Sequence, residues 1–302
     1  MYALRGDVVD KTTGKPEAAG GTLSPGNVML RPDKRPRPLV LRAAAGDCLT
    51  VEFTNLLDPV ANPRQAPEVG ANGVPFNVQI DDQVADRHAG FHPQGLELVG
   101  SIASDSSFVG QNASSLANVG ETKVYEFYAR EEGTFMAWSH GATIGGEGTG
   151  GQTSSGLFGA VNVQPKGAGF FRSQVTEEDL RLASTDADAN GFPEIDYHAV
   201  YPAAEPWLSE GKAGQPIVNM VNASGEYVHS DLNAIVAYTG ADFVMDGAGL
   251  TLGRFPASTY PLESKGLRNP TVPTRLEAYR EFTVIFHDEV TAAQAFPGWY
   301  ND

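Results

Sequence analysis

The sequence predicts an all-β protein built of Greek-key β-sandwich domains in tandem, and three observations carry that reading. Short runs rich in Val, Phe, Tyr and Thr alternate apolar with polar residues, the period of a strand with one buried face. The 34 Gly and 20 Pro are spread between those runs rather than gathered in one tract, as a fold with many turns requires. A chain of 302 residues is long enough for two domains of ordinary size.

The elements follow in chain order. Residues 1–26 read as an N-terminal extension, 27–165 as a first sandwich, 166–216 as a connecting segment and 217–302 as a second, incomplete sandwich. Leu39 to Asn55 gives two strands around a Gly46-Asp47 turn. In the second of them Cys48, Thr50, Glu52 and Thr54 share one face and Leu49, Val51 and Phe53 the other. Further strands are expected at 74–80, 97–102, 122–129 and 133–138, and Gly156 to Gln164 reads as the last strand of the first domain, ended by Pro165. Thr176 before Glu177, Glu178 and Asp179 reads as the N-cap and acidic first turn of a short helix. Strands are then expected at 217–222, 226–230 and 234–238. A Gly/Pro/Ser-containing stretch at 240–273 is too long for a hairpin loop, and a buried strand starts at Glu281.

Charge and composition narrow the function. A formal charge of −16 argues against a nucleic-acid partner, because such binding rests on Lys and Arg neutralising phosphates. No apolar stretch is long enough for a membrane span. The basic cluster Arg31, Lys34, Arg35, Arg37 and Arg42, interleaved with Pro32, Pro36 and Pro38, reads as a solvated loop. Cys48 is the one cysteine, so no intrachain disulfide can form. No His adjoins it, which favours a structural thiol over a copper ligand. The opening residues show no basic region followed by an apolar core, so no secretory signal is visible. The chain's end soon after a strong strand reads as that of a fragment.

Three of the six histidines, His88, His92 and His140, fall in the first domain. Imidazole nitrogen suits copper. His88, His92 and Gln94 project to one side if they share a strand, so these three with His140 are candidate ligands. Satisfied structural histidines are the competing reading. His198, His229 and His287 stand alone and read as hydrogen-bonded strand or loop residues.

At these residues a family resemblance enters. Gly46-Asp47-Cys48-Leu49-Thr50-Val51-Glu52-Phe53-Thr54-Asn55-Leu56 resembles the first-domain strand of multicopper oxidases, and Phe91-His92-Pro93-Gln94-Gly95-Leu96 sits where that family has its first His-x-His-Gly-Leu motif. Gly133 to His140 resembles the approach to the second His-x-His motif, and Gln152 with Gly156-Leu157-Phe158-Gly159-Ala160 completes the order. Residues 171–176, 227–232 and 280–289 are similar to the large bacterial branch that includes manganese oxidases. The resemblance implies cupredoxin-like domains, copper as cofactor, further cupredoxin domains of the same or another chain as partners, and an extracytoplasmic location.

The departures limit what the resemblance implies. The family's two pairs hold part of a trinuclear copper cluster that reduces dioxygen. Here they read His92-Pro93-Gln94 and Trp138-Ser139-His140, one imidazole in each. Gln is a poor copper ligand and indole offers no lone pair. The His-Cys-His stretch of a type 1 copper is also missing. Three functions follow as expectations: the N-terminal portion of a multicopper-oxidase-like protein that is inactive alone, a copper-binding module without turnover, or a copper-free structural or interaction protein on the same scaffold.

A second candidate metal site is calcium. In Asp186-Ala187-Asp188-Ala189-Asn190-Gly191, oxygen ligands alternate before a glycine, and Glu194 or Asp196 could finish the shell. A solvated acidic loop is the alternative.

Overall fold

The computed structural model describes residues 1–59, 87–141, 151–154, 156–203, 211–238 and 278–286. The strand expected at 74–80, the stretch 240–273 and His287 lie outside the described residues. The protein is all-β, and among the described residues one short helix exceeds a single turn. β1 (Val8–Asp10) pairs with β2 (Val28–Leu30), and β3 (Leu39–Ala44), β4 (Cys48–Thr54), β5 (His92–Pro93), β6 (Glu97–Leu98), β7 (Thr122–Tyr128) and β8 (Gly133–Trp138) follow. The single turn α1 (Gly151–Ser154) then leads to β9 (Phe158–Gln164). The remaining elements are β10 (Ala168–Arg172), α2 (Glu177–Ala183), β11 (Ser184–Ala187), β12 (Pro193–Ile195), β13 (Asn233–Tyr238) and β14 (Tyr279–Phe282).

Two sheets face each other in the first sandwich, one in the order β3-β9-β8-β5 and one in the order β4-β7-β6. The connections β3–β4 and β7–β8 pass from one sheet to the other, as in a Greek key. The Gly46-Asp47 turn therefore joins sheets rather than closing a hairpin. Gly46 takes φ 98, and the Asp47 carboxylate accepts from the Ala44 amide at 2.9 Å. Alternation sets the core: Leu49 from β4, Tyr125 and Phe127 from β7, and Val161 and Val163 from β9 are buried between the sheets, while Cys48, Thr50 and Glu52 face outward. The first residues are part of this core, since Tyr2 packs on Phe91 and its hydroxyl donates to the Gly90 carbonyl at 2.5 Å. The first residues of the N-terminal segment are thus docked on the sandwich.

Strands β3 and β9 are buried on both faces, which alternation alone does not explain. Their outer face carries Arg42, Asn162 and Gln164, and a second sheet in the order β10-β13-β14 packs over it. Glu281 of β14 accepts from Arg42 at 2.8 and 3.0 Å, from Asn162 at 2.6 Å and from Gln164. Arg42 also donates to the carbonyls of Asp231 at 2.7 Å and Leu232 at 3.1 Å. Arg42 is 1% exposed and Arg31 6%, so the basic cluster is not a solvated loop as expected: Arg42 is buried by partners far away in sequence, and Arg31 is buried against Asp33 and the Gly6 carbonyl.

β10 lies inside the expected connecting segment, yet it pairs in register with β13 from Ala168↔Tyr238 to Arg172↔Ala234. The second sheet therefore starts at Ala168. On one of its faces Phe170 and Ala234 pack with Met220, and on the other Phe171 packs against Tyr197, Tyr201 and Ile217. α2 is capped as expected, Thr176 Oγ1 accepting from the Asp179 amide at 3.1 Å. The expected strands at 217–222 and 226–230 do not form. Asn222 Oδ1 takes the amides of Ser224 and Glu226, each at 2.9 Å, so pairing stops at the single bridge Val221↔Tyr227.

Candidate metal centre

The structure brings His92 and His140 together. Cross-strand partners in the short β5–β8 pair share a face, which places Trp138 opposite His92. His140, two residues after Trp138, projects to the same side, and its imidazole lies over that of His92 with ring centroids 4.1 Å apart and planes at 31°. Trp138 walls the pair, 5.9 Å from His92 and 5.5 Å from His140. Ser139 points the other way and is fully buried. Its hydroxyl donates to Gln152 Oε1 at 2.5 Å and accepts from the amides of Gly90 and Gly141, while Gln152 Nε2 donates to the His88 carbonyl at 2.8 Å. This clasp holds three chain segments beneath the histidines. Gly141 is required there, because a Cβ would sit 1.8 Å from the His88 carbonyl oxygen.

A third group comes from a loop that the sequence did not single out. The turn Ile102–Ser104 ends at Asp105, whose main-chain carbonyl lies 2.7 Å from His92 Nδ1. A carbonyl only accepts, so Nδ1 carries the hydrogen and Nε2 keeps its lone pair, the tautomer that metal-binding histidines are given by such partners. The Asp105 carboxylate stands 3.4 Å from the same nitrogen, with its second oxygen taking the Ser107 hydroxyl. Burial, and then the neighbouring His92 ring, hold His140 below the usual imidazole pKa, against Asp105, which pulls it up. That favours the neutral imidazole, the form that can donate a lone pair.

These groups fit a single ion. Ligand atoms of His92, Asp105 and His140 all lie within 4.8 Å of one another. An ion about 2 Å from each of two imidazole nitrogens stands about 3 Å from each ring centre, so two rings on one ion sit about 4–5 Å apart. The observed 4.1 Å falls in that span. Two imidazoles on one face suit a first-row transition ion such as copper.

The other expected ligands do not join them. His88 is exposed and contributes its carbonyl to the clasp. Gln94 is exposed past the end of β5, where its amide donates to the Met136 carbonyl at 2.8 Å. The expectation that a strand aligns His88, His92 and Gln94 fails because β5 is two residues long. His229 is buried, its Nε2 bonded to the Pro216 carbonyl at 2.8 Å.

The calcium expectation finds no support. Asp186 and Glu194 are cross-strand neighbours in the β11–β12 hairpin, and Asp188 closes its tip, accepting from the amides of Asn190 and Phe192 at 2.8 Å each. Those amides, Phe192 first, hold Asp188 below the usual carboxylate range. Asp196 caps the His198 amide at 2.8 Å. The alternation of oxygen donors, Asn190 among them, serves an exposed turn, and these residues belong to no metal-competent group among the described residues.

No protein-family model and no curated protein matches the chain. Solved structures similar to part of it include a multi-copper oxidase from Pseudomonas thermotolerans, at 19% identity over 42% of this chain and 22% of that one, with a TM-score of 0.26. Lac15 from a marine microbial metagenome is similar at 22% identity over 42% of this chain and 23% of that one, with a TM-score of 0.26. Fet3p, a multicopper oxidase that functions in iron import, is similar at 15% identity over 52% of this chain and 25% of that one, with a TM-score of 0.28. The chain thus spans about a quarter of the length of these proteins. None of the three is named for manganese oxidation, so the expected likeness to that branch finds no support in them. Among the described residues no helix is long and apolar enough to cross a membrane.

Proposed function

We propose that this chain is the N-terminal, cupredoxin-type portion of a multicopper-oxidase-like protein, binding one copper ion through His92 and His140 and inactive by itself. The observation that carries the reading is the pair of imidazoles held 4.1 Å apart at the two positions where the motif resemblance keeps a histidine. Copper at such a site supplies a one-electron redox centre. The chain's own residues do the rest: the Asp105 carbonyl fixes the His92 tautomer, burial favours the neutral form of His140, and Trp138 shields the pair.

Turnover is not expected of this chain. Two of the four family ligand positions are Gln94 and Trp138, and the thiolate of an electron-entry site has no counterpart, since Cys48 lies exposed on β4. Further cupredoxin domains, of this or another chain, are the proposed partners, in an extracytoplasmic compartment. Titration calorimetry with copper(II) tests the reading. One ion per chain, lost in His92→Ala and in His140→Ala, is the expected outcome, with no oxygen uptake in the presence of a phenol or manganese(II). Copper binding that survives both substitutions, or sustained oxygen consumption, refutes it.

A further inference from the structure

We propose that Asp105 is the third ligand of the His92–His140 centre, which makes the site one for a divalent ion, copper(II) or zinc(II), rather than for copper(I). The inference rests on the reading of the histidine pair as a metal site and adds what that pair alone does not determine.

Charge balance is the first argument. The Asp105 side chain is 16% exposed, and among the described residues its one ion-pair partner is His92, with no Lys or Arg beside it. A largely buried carboxylate without a firm cation is costly, and a bound divalent ion removes that cost.

Aim is the second argument. The Ser107 hydroxyl fixes Oδ2, and Oδ1 stands 3.4 Å from His92 Nδ1, while ligand atoms of Asp105, His92 and His140 all lie within 4.8 Å of one another. The intervening residue, Ser106, is fully buried and is held at φ 60, a conformation uncommon for residues other than glycine. Gly90 allows this, because a Cβ there would stand 2.0 Å from Ser106 Oγ. The loop is strained into the shape that brings Asp105 to the pair.

Donor chemistry is the third argument. Two imidazoles serve copper in either oxidation state, whereas a carboxylate is a hard donor that favours the divalent ion, and soft sulfur ligands that select copper(I) are not in the group.

The test compares the full chain with Asp105→Asn, measuring copper(II) and zinc(II) affinity in air, copper(I) affinity under reductant against a competing chelator, and the copper(II) electron paramagnetic resonance spectrum. Loss of an outer partner of a ligand costs about 10–100-fold in metal affinity. The expected loss of copper(II) affinity exceeds about 100-fold, with a changed copper hyperfine splitting and unchanged copper(I) affinity, and Asp105→Glu regains part of it. An unchanged spectrum and copper(II) affinity in Asp105→Asn, with binding still lost in His92→Ala, reduces Asp105 to orienting His92 and overturns the proposal while the histidine reading stands. No uptake of copper or zinc by the unmodified chain overturns both. Should Asp105→Asn not fold, pulsed resonance on the unmodified chain carrying carboxyl-labelled aspartate decides: coupling to the label supports ligation and its absence overturns it.

Discussion

Replacing Arg42 by Met removes a buried cation that helps to join the two halves of the described structure and keeps most of its apolar stem. Arg42 is 1% exposed and makes two hydrogen bonds to Glu281, at 2.8 and 3.0 Å, and two to the carbonyls of Asp231 and Leu232, at 2.7 and 3.1 Å. Removing one partner of a buried ion pair costs about 3–5 kcal/mol, because the other charge stays behind. Glu281 keeps Asn162 and Gln164 as donors, which places the loss near the lower end, about 3 kcal/mol. In a chain of this size each kcal/mol lowers the melting temperature by about 2–4 °C, so a fall of about 10 °C is expected in a calorimetric scan. The double variant Arg42→Met, Glu281→Leu removes both charges and recovers much of the stability, because the stranded carboxylate is gone. A loss below about 1 kcal/mol in the single variant, or a double variant as unstable as the sum of the two singles, refutes the reasoning.

Burial, and then the nearby Arg172 charge, lower the His229 pKa to about 3. Below about pH 6.5 the unfolded chain takes up a proton that folded His229 refuses, so stability falls with pH between about 6.5 and 4.5 by roughly 1 kcal/mol per unit. His229→Gln removes that part of the slope of the urea midpoint against pH, and an unchanged slope contradicts the assignment. Gly159→Ala tests the parallel β3–β9 pairing, since its Cβ would lie 2.3 Å from the Leu39 carbonyl oxygen. A loss of about 1–3 kcal/mol in urea unfolding is expected, and an unchanged midpoint shows that the strands can part without cost.

The sandwich was legible wherever one strand face meets solvent. Leu49 against Cys48 and Thr50, and Tyr125 and Phe127 against Glu126, alternate because β4 and β7 have one wet side. It was less legible where a strand is buried twice: nothing near Arg42 or Asn162 in sequence announces that Glu281 covers them. Pairing partners were legible least of all, so β10, a strand of the second sheet, read as a linker and the Asn222 turn read as two strands.

At the site, His92 and His140 could be found because imidazole is rare and both stand at motif positions. Asp105 could not. It is one of many acids in an acidic chain, and what distinguishes it is a loop shape set by Ser106, Gly90 and Ser107, which no spacing encodes. The alternation at Asp186 to Asn190 shows the converse: the same residue types at a promising period close a hairpin tip by capping its amides.

Crystals of this chain soaked in copper(II) and measured on both sides of the copper absorption edge test the central claim most directly. The account expects one anomalous peak in the first sandwich, about 2 Å from nitrogens of both His92 and His140. Full-occupancy copper elsewhere with nothing between the two imidazoles would contradict it.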